Sequence, residues 1–83
     1  MPTDPAVYID SMGHLWSADR EALHIFAARA GLKREWFQDR PRLYHYDVTT
    51  RFMRGLAVMN GAHKVSPRRL VALIHEAGAD DAD

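Results

Sequence analysis

The chain has 83 residues, no cysteine, and 11 basic against 11 acidic side chains, so its formal net charge is zero. The absence of cysteine excludes a disulfide scaffold, a cysteine zinc finger and a thiol nucleophile. No apolar run approaches the roughly 20 residues of a membrane span, and the first residues lack a signal-peptide pattern, so we expect a cytoplasmic protein without membrane association.

The first third of the chain predicts a strand followed by a helix. Residues 6–9 are apolar, β-branched and aromatic, which is typical of a buried strand, and residues 11–13 are expected to turn the chain. Ser17 is a suitable N-cap for a helix that extends to about residue 30, and Gly31 is a suitable stop. Ile25 widens the apolar stripe of this helix, so self-association through that surface is an expectation.

A charged connector over residues 32–42 separates this unit from the next, and its Trp36 and Phe37 are interpreted as a lid on the core. Residues 43–48 are rich in aromatic side chains and predict a second strand. A second helix follows Thr49 or Thr50 and ends at Gly61. Gly55 in its middle weakens the helix, which suggests a close backbone contact there. The residues expected to point inward from this helix are Phe52, Met53, Leu56, Ala57 and Met59.

The last third predicts a minimal strand over residues 63–65 and a third helix. Ser66 followed by Pro67 is a strong helix start, Gly78 is the expected stop, and Leu70 and Val71 are among the residues expected in the core. The resulting β-α-β-α-β-α order predicts an α/β fold with a three-stranded, mostly parallel sheet flanked by helices. We expect one domain over residues 5–78, with flexible tails at 1–4 and 79–83.

Polar residues close two of the predicted strands. Asp10 ends the first strand and Asp47 ends the second, with His45 on the same face as Asp47 because side chains alternate along a strand. Ligands gather beyond the carboxyl ends of parallel strands, so Asp10, His45 and Asp47 are the candidate catalytic residues. The same three residues are candidate ligands of a divalent metal.

Further candidates surround this sheet edge. His14 lies in the first loop, while Arg51 and Arg54 lie one turn apart on the second helix, where they can neutralise phosphate. The N-termini of all three helices, near residues 17, 49 and 66, are expected to open on the same side and to favour anions. Residues 29–69 also carry ten basic against three acidic side chains, which makes nucleic-acid binding through this Arg-rich region one alternative.

Several separated motifs follow one another along the chain: residues 8–12, His14, residues 18–19 and 21–27, residues 31–38, residues 45–48, residues 54–58 and residues 61–62. Together they resemble a small bacterial and phage family known as domain of unknown function 4031. The resemblance implies that the following residues occupy the characteristic polar positions of the family: Asp10, His14, His24, Gln38, His45, Asp47 and Arg54. It implies no reaction, and a first loop shorter than the family pattern leaves open whether a family activity is retained.

The leading functional hypothesis is binding, with hydrolysis as an option, of a phosphate-bearing ligand such as a nucleotide. Asp10, His45 and Asp47 would form its centre. The ligand-binding set would comprise His14, His24, Gln38, Arg51 and Arg54. The alternative from another class is a non-enzymatic protein-interaction module, such as a phage accessory protein that acts on a host factor. The sequence therefore leaves open whether the chain is an enzyme.

Overall fold

A computed structural model describes residues 5–41 and 43–78, so the expected tails at 1–4 and 79–83 lie outside the described residues. In chain order, the elements are β1 (Val7–Ile9), β2 (His14–Ser17), α1 (Arg20–Arg29), a 3₁₀ turn (Arg34–Trp36), β3 (Phe37–Gln38), β4 (His45–Asp47), α2 (Arg51–Met59), β5 (His63–Lys64) and α3 (Pro67–Gly78). The strands form one five-stranded mixed sheet in the order β3-β4-β2-β1-β5. Among the described residues, no helix has the length and apolar character that crossing a bilayer requires.

The expected three-stranded, mostly parallel sheet and its element order are wrong, because the chain contains two additional strands, β2 and β3. Only β1 and β5 pair in parallel, whereas β1–β2, β2–β4 and β3–β4 are antiparallel pairs. The fold remains a small α/β domain in which three α-helices accompany the sheet within residues 5–41 and 43–78.

A tight turn between β1 and β2 accounts for the difference. Gly13 has a φ of +88°, a conformation that side chains disfavour, and its N–H donates to the Asp10 carbonyl. The turn therefore sends the chain back along β1, with Leu15 opposite Ile9 and fully buried. Ser17, the expected helix cap, is instead buried at the end of β2.

Helix α1 begins two residues later than the Ser17 cap would require. The side chain of Asp19 accepts a hydrogen bond from the Ala22 N–H at 3.0 Å, so Asp19 is the N-cap. The other two helix starts agree with the sequence, since the Thr50 and Ser66 hydroxyls accept from the N–H groups of Met53 and Arg69.

Strand directions determine which residues share an edge of the sheet. The sequence led us to expect that β1 and β4 pair with each other. They do not, because β2 lies between them. Both are antiparallel to β2, so they run in the same direction, and Asp10 and Asp47 lie at the edge where β2 begins. Helices α2 and α3 follow strands that end at this edge. Helix α1 follows β2 and begins at the opposite edge, so the expected common opening of three helix N-termini is wrong for α1.

The main core lies on the sheet face that carries Ile9 and Leu15, where α1 and α2 supply the fully buried Leu23, Ala27 and Ala57. Burial of these apolar groups stabilises the folded state by roughly 25 cal/mol for each Å² of apolar surface removed from water. Trp36 and Phe37 are half-buried and pack against this core, which confirms their interpretation as a lid. Four residues expected on core-facing stripes are exposed instead: Ile25, Phe52, Met59 and Val71.

Candidate functional site

Three potential metal ligands meet where β2 begins and β4 ends. His14 is the Cα partner of Asp47 across the antiparallel β2–β4 pair, which places both side chains on the same face of the sheet. His45 shares that face because it lies two residues before Asp47 on β4. One donor atom from each of these three residues lies within 4.8 Å of the other two. We refer to His14, His45 and Asp47 as the His–His–Asp cluster.

Asp10 orients this cluster instead of belonging to it. Its buried carboxylate accepts the N–H groups of Met12 and His14 at 3.0 and 2.9 Å on one oxygen. The second oxygen lies 3.0 Å from Nδ1 of the His14 ring. A carboxylate can only accept here, so Nδ1 carries a proton and Nε2 is the ring nitrogen left for another partner. Such a carboxylate–histidine pair is the usual outer support of a metal-ligating histidine.

His45 has the same tautomer for a different reason. Its Nδ1 lies 2.6 Å from the Leu43 carbonyl oxygen, which can only accept a hydrogen bond, so this nitrogen carries the proton. The other ring nitrogen, Nε2, lies 3.2 Å from Oδ1 of Asp47. Two atoms with lone pairs that face each other at this distance need a proton or a metal cation to hold them together.

The cluster is open to solvent on one side. The side chains of His14 and Asp47 are 43% and 42% exposed, while that of His45 is 17% exposed. Three protein ligands with an open position are typical of catalytic sites, whereas closed structural zinc sites have four. Two imidazoles with one carboxylate suit zinc or iron better than magnesium, which prefers oxygen ligands.

The distances within the cluster fit such a metal after a small adjustment. Two ligands of a tetrahedral zinc ion, each at about 2.1 Å from the metal, lie roughly 3.4 Å apart. The His45–Asp47 separation of 3.2 Å already matches this spacing. His14, whose ring lies edge-on to that of His45 with the centroids 5.2 Å apart, is the ligand that has to approach.

A cationic groove adjoins the cluster at the same sheet edge. It has a volume of about 360 Å³, and its charged lining residues are Arg51, Arg54, Lys64 and Asp10. Asp10 therefore contacts both features, since it lines the groove and holds the His14 ring. Arg54 donates to the carbonyls of Val48 and Thr49 at 3.3 Å each. These bonds hold the guanidinium beside the end of β4.

Gly13 allows β2 and β4 to approach each other at the site. The Val48 N–H donates to the Gly13 carbonyl at 2.8 Å. A Cβ at position 13 would lie 2.3 Å from the Val48 carbonyl oxygen, a distance at which the backbone must shift. Because these residues adjoin His14 and Asp47, only glycine permits the strand spacing that the cluster requires.

The structure brings some of the expected site residues together and separates others. His14, His45 and Asp47 meet, and Gln38 lies on their face because it is the register partner of His45 on β3. Arg51 and Arg54 line the adjoining groove, together with Lys64, which sequence reasoning missed. The available signal was its place in the third predicted strand, residues 63–65, because Lys64 lies beside Ile9 of β1 where β5 ends.

His24 lies on the other side of the sheet. Its Nδ1 is 2.7 Å from the hydroxyl of Tyr46, which alternates with His45 and so points away from the cluster. Burial lowers the pKa of His24, and the nearby positive charges of Arg34 and Arg20 lower it further, against a smaller opposing effect of Asp39. The expected grouping of His24 with the other ligand-binding residues is therefore wrong.

Burial also raises the pKa of Tyr46, with the positive charge of Arg34 opposing the shift. Both partners of this hydrogen bond are thus held in their neutral forms. The pair fastens α1 to β4 from the core side of the sheet, and the ring of His24 also packs edge-on against Phe37 at 4.5 Å between centroids.

Arg34 of the basic central region and Arg20 of α1 lie over aromatic rings. The guanidinium of Arg20 lies 4.7 Å from the Tyr44 ring centroid, and that of Arg34 lies 5.6 Å from the ring centroid of Phe37. Cation–π contacts of this kind hold the charged groups against the lid of the core.

Comparison with known proteins provides one match. A family model described as "Protein of unknown function (DUF4031)" covers residues 3–77, which confirms the resemblance drawn from the sequence motifs. Neither the curated proteins nor the solved structures include a match.

Proposed function

The chain belongs to this family of unknown function, and we propose that it binds a divalent transition metal at the His–His–Asp cluster and a phosphate-bearing ligand in the cationic groove. One observation carries the metal assignment. The Nδ1 atoms of both histidines are engaged by an acceptor, Asp10 for one and the Leu43 carbonyl for the other. Nε2 is therefore the ring nitrogen left to bind a metal in each histidine, and one donor atom of each ring lies near the Asp47 carboxylate.

The groove supports the second half of the proposal. Arg51, Arg54 and Lys64 line it against the single carboxylate of Asp10, so its charge favours an anion. Arginine presents paired donors that match phosphate oxygens, and lysine adds a point charge. Nucleotides are one class of ligand that carries such a group.

The arrangement favours phosphoester chemistry because the groove and the cluster share Asp10. A divalent metal held by His14, His45 and Asp47 would supply the activation of a water molecule as the nucleophile, since such metals lower the pKa of a bound water to about 7. Within the protein, the cationic groove would neutralise the phosphate while Asp10 keeps Nε2 of His14 free for the metal.

The metal assignment is tested with Zn²⁺ in competition with a chromophoric chelator. We expect the wild-type protein to bind one equivalent, and both His45→Ala and Asp47→Ala to lose that binding while they remain folded, because neither side chain belongs to the core. The matched control is Asp39→Ala, which removes a carboxylate that is 66% exposed and pairs with Arg20. Wild-type zinc affinity in Asp47→Ala would refute the assignment.

The phosphate assignment is tested separately with inorganic phosphate and isothermal titration calorimetry. The double substitution Arg51→Gln and Lys64→Gln removes two groove cations. Within residues 5–41 and 43–78, their side chains form no hydrogen bond or ion pair, unlike that of Arg54. We expect phosphate binding to weaken at least tenfold, since charge-assisted hydrogen bonds are worth about 1.5–3 kcal/mol each. Arg29→Gln, on α1, is the control, and an equal loss in that variant would point to net charge alone.

A further inference from the structure

The solvent side of α2 carries an apolar pair next to the cationic groove. Phe52 and Met59 are 71% and 83% exposed, although the sequence pattern led us to expect them in the core. They lie seven residues apart, which is two helical turns, and therefore project from the same side of the helix. They flank the part of the helix that contributes Arg54, Gly55 and Val58 to the groove.

Gly55 lies between this apolar pair and the groove. It is three residues after Phe52 and four before Met59, so it occupies the same side of α2, and it also lines the groove. A Cβ at this position would meet no atom within 4 Å. The close backbone contact expected from the sequence is therefore absent among the described residues, and nothing in the fold requires glycine at a position where alanine strengthens a helix.

The missing side chain leaves an open passage from the cations to the apolar pair. We propose that the phosphate-bearing ligand is a nucleotide whose phosphate lies in the groove beside Arg51 and Lys64, and whose base crosses Gly55 to pack on Phe52 and Met59. This inference rests on the proposed function, because it assumes that the groove binds phosphate. The pairing of anion-binding groups with an exposed aromatic ring on the adjacent side of the same helix matches a molecule that joins a phosphate to a flat base.

The inference is tested by calorimetry with three probes: inorganic phosphate, adenosine 5′-monophosphate and adenosine. We expect the monophosphate to bind about tenfold more tightly than phosphate, since stacking of a base on an aromatic side chain supplies about 5- to 150-fold. Phe52→Ala removes an exposed ring, and it should abolish the advantage while leaving the affinity for phosphate unchanged.

Gly55→Gln provides a second variant that folds at least as well as the wild type, because glutamine is a better helix former and the site is open. It should raise the melting temperature and reduce the affinity for the monophosphate to that for phosphate. Ile25→Ala, which truncates a 52% exposed apolar residue on α1, is the control and should change neither affinity.

The outcomes separate this inference from the proposed function. If phosphate binds and the monophosphate binds no more tightly, or if Phe52→Ala retains the advantage, the inference is overturned and the phosphate site stands. If no probe binds, the inference and the phosphate assignment are both overturned, whereas the metal assignment depends on its own zinc experiment. If Phe52→Ala instead leaves every affinity unchanged and abolishes a concentration-dependent self-association of the free protein in sedimentation, the apolar pair contacts a second copy of the chain. In that case the inference is likewise overturned.

Discussion

Asp10→Asn changes the tautomer of His14 while it preserves the shape of the loop. In the wild type, one carboxylate oxygen of Asp10 accepts the N–H groups of Met12 and His14, and the other accepts from the His14 ring. In the variant, the amide oxygen keeps the two backbone bonds, so the amide nitrogen faces the ring. His14 must then accept at Nδ1, and its proton moves to Nε2, the atom that the metal needs.

The expected loss follows from this single proton. Substitution of the outer partner of a metal ligand weakens metal affinity by about 10–100-fold, which corresponds to about 1.4–2.7 kcal/mol. The free energy of unfolding of the metal-free protein should fall by only about 1 kcal/mol, because both backbone N–H groups keep an acceptor. Asp10→Ala differs, since it leaves these donors without their acceptor and lowers stability more.

Zinc affinity from chelator competition and urea unfolding of the metal-free proteins measure the two effects independently. Asp39→Asn is the matched control, because its carboxylate is exposed and lies away from the cluster in an ion pair with Arg20 at 2.9 Å. Wild-type zinc affinity in folded Asp10→Asn would refute the tautomer argument. A loss of affinity that merely follows the loss of stability would refute it equally.

Three further substitutions test the fold around the site. Gly13→Ala should destabilise the protein by about 2–4 kcal/mol, because it strains the backbone and breaks the hydrogen bond from the Val48 N–H. Gly31 also has a positive φ but has open space around it, so Gly31→Ala should destabilise the protein by only about 1–2 kcal/mol. Equal losses in urea unfolding would contradict the close approach of β2 and β4. His24→Gln should reduce the loss of stability in acid. Because the pKa of His24 is lowered in the folded protein, the unfolded chain binds more protons below about pH 6.5, and wild-type stability therefore decreases as the pH decreases in that range. Parallel curves of stability against pH for the two proteins would count against this. Leu23 is fully buried, so Leu23→Ala should lower the free energy of unfolding by about 2–5 kcal/mol, whereas Ile25→Ala should change it by less than about 1 kcal/mol. Similar melting temperatures for the two variants would contradict the assignment of the core face of α1.

The sequence identified most of the chemical groups of the site, because local rules place them. His45 and Asp47 share a face through strand alternation, Thr50 and Ser66 cap their helices, and the family assignment follows from motifs along the chain. These features depend on neighbours within a few residues. They survive errors in the predicted topology.

The tertiary structure decided how those groups meet. Residues 11–13 signal a turn, but a turn alone does not say whether the following residues pair back as a strand or start a helix. Burial of Leu15 in the sheet favoured the strand, and this brought His14 opposite Asp47. It also placed His24 behind the sheet, against Tyr46.

Exposure was likewise a non-local outcome. The spacing of the apolar residues in α2 is compatible with more than one buried face, and the sequence led us to expect Phe52 and Met59 in the core. In the structure, Ala57 packs into the core and those two side chains face solvent. The sequence alone therefore indicated His45, Asp47, Arg51 and Arg54. The presence of His14 in place of Asp10 in the cluster, the position of Lys64 in the groove and the open side of α2 depended on strand pairing between distant segments, which no local pattern encodes.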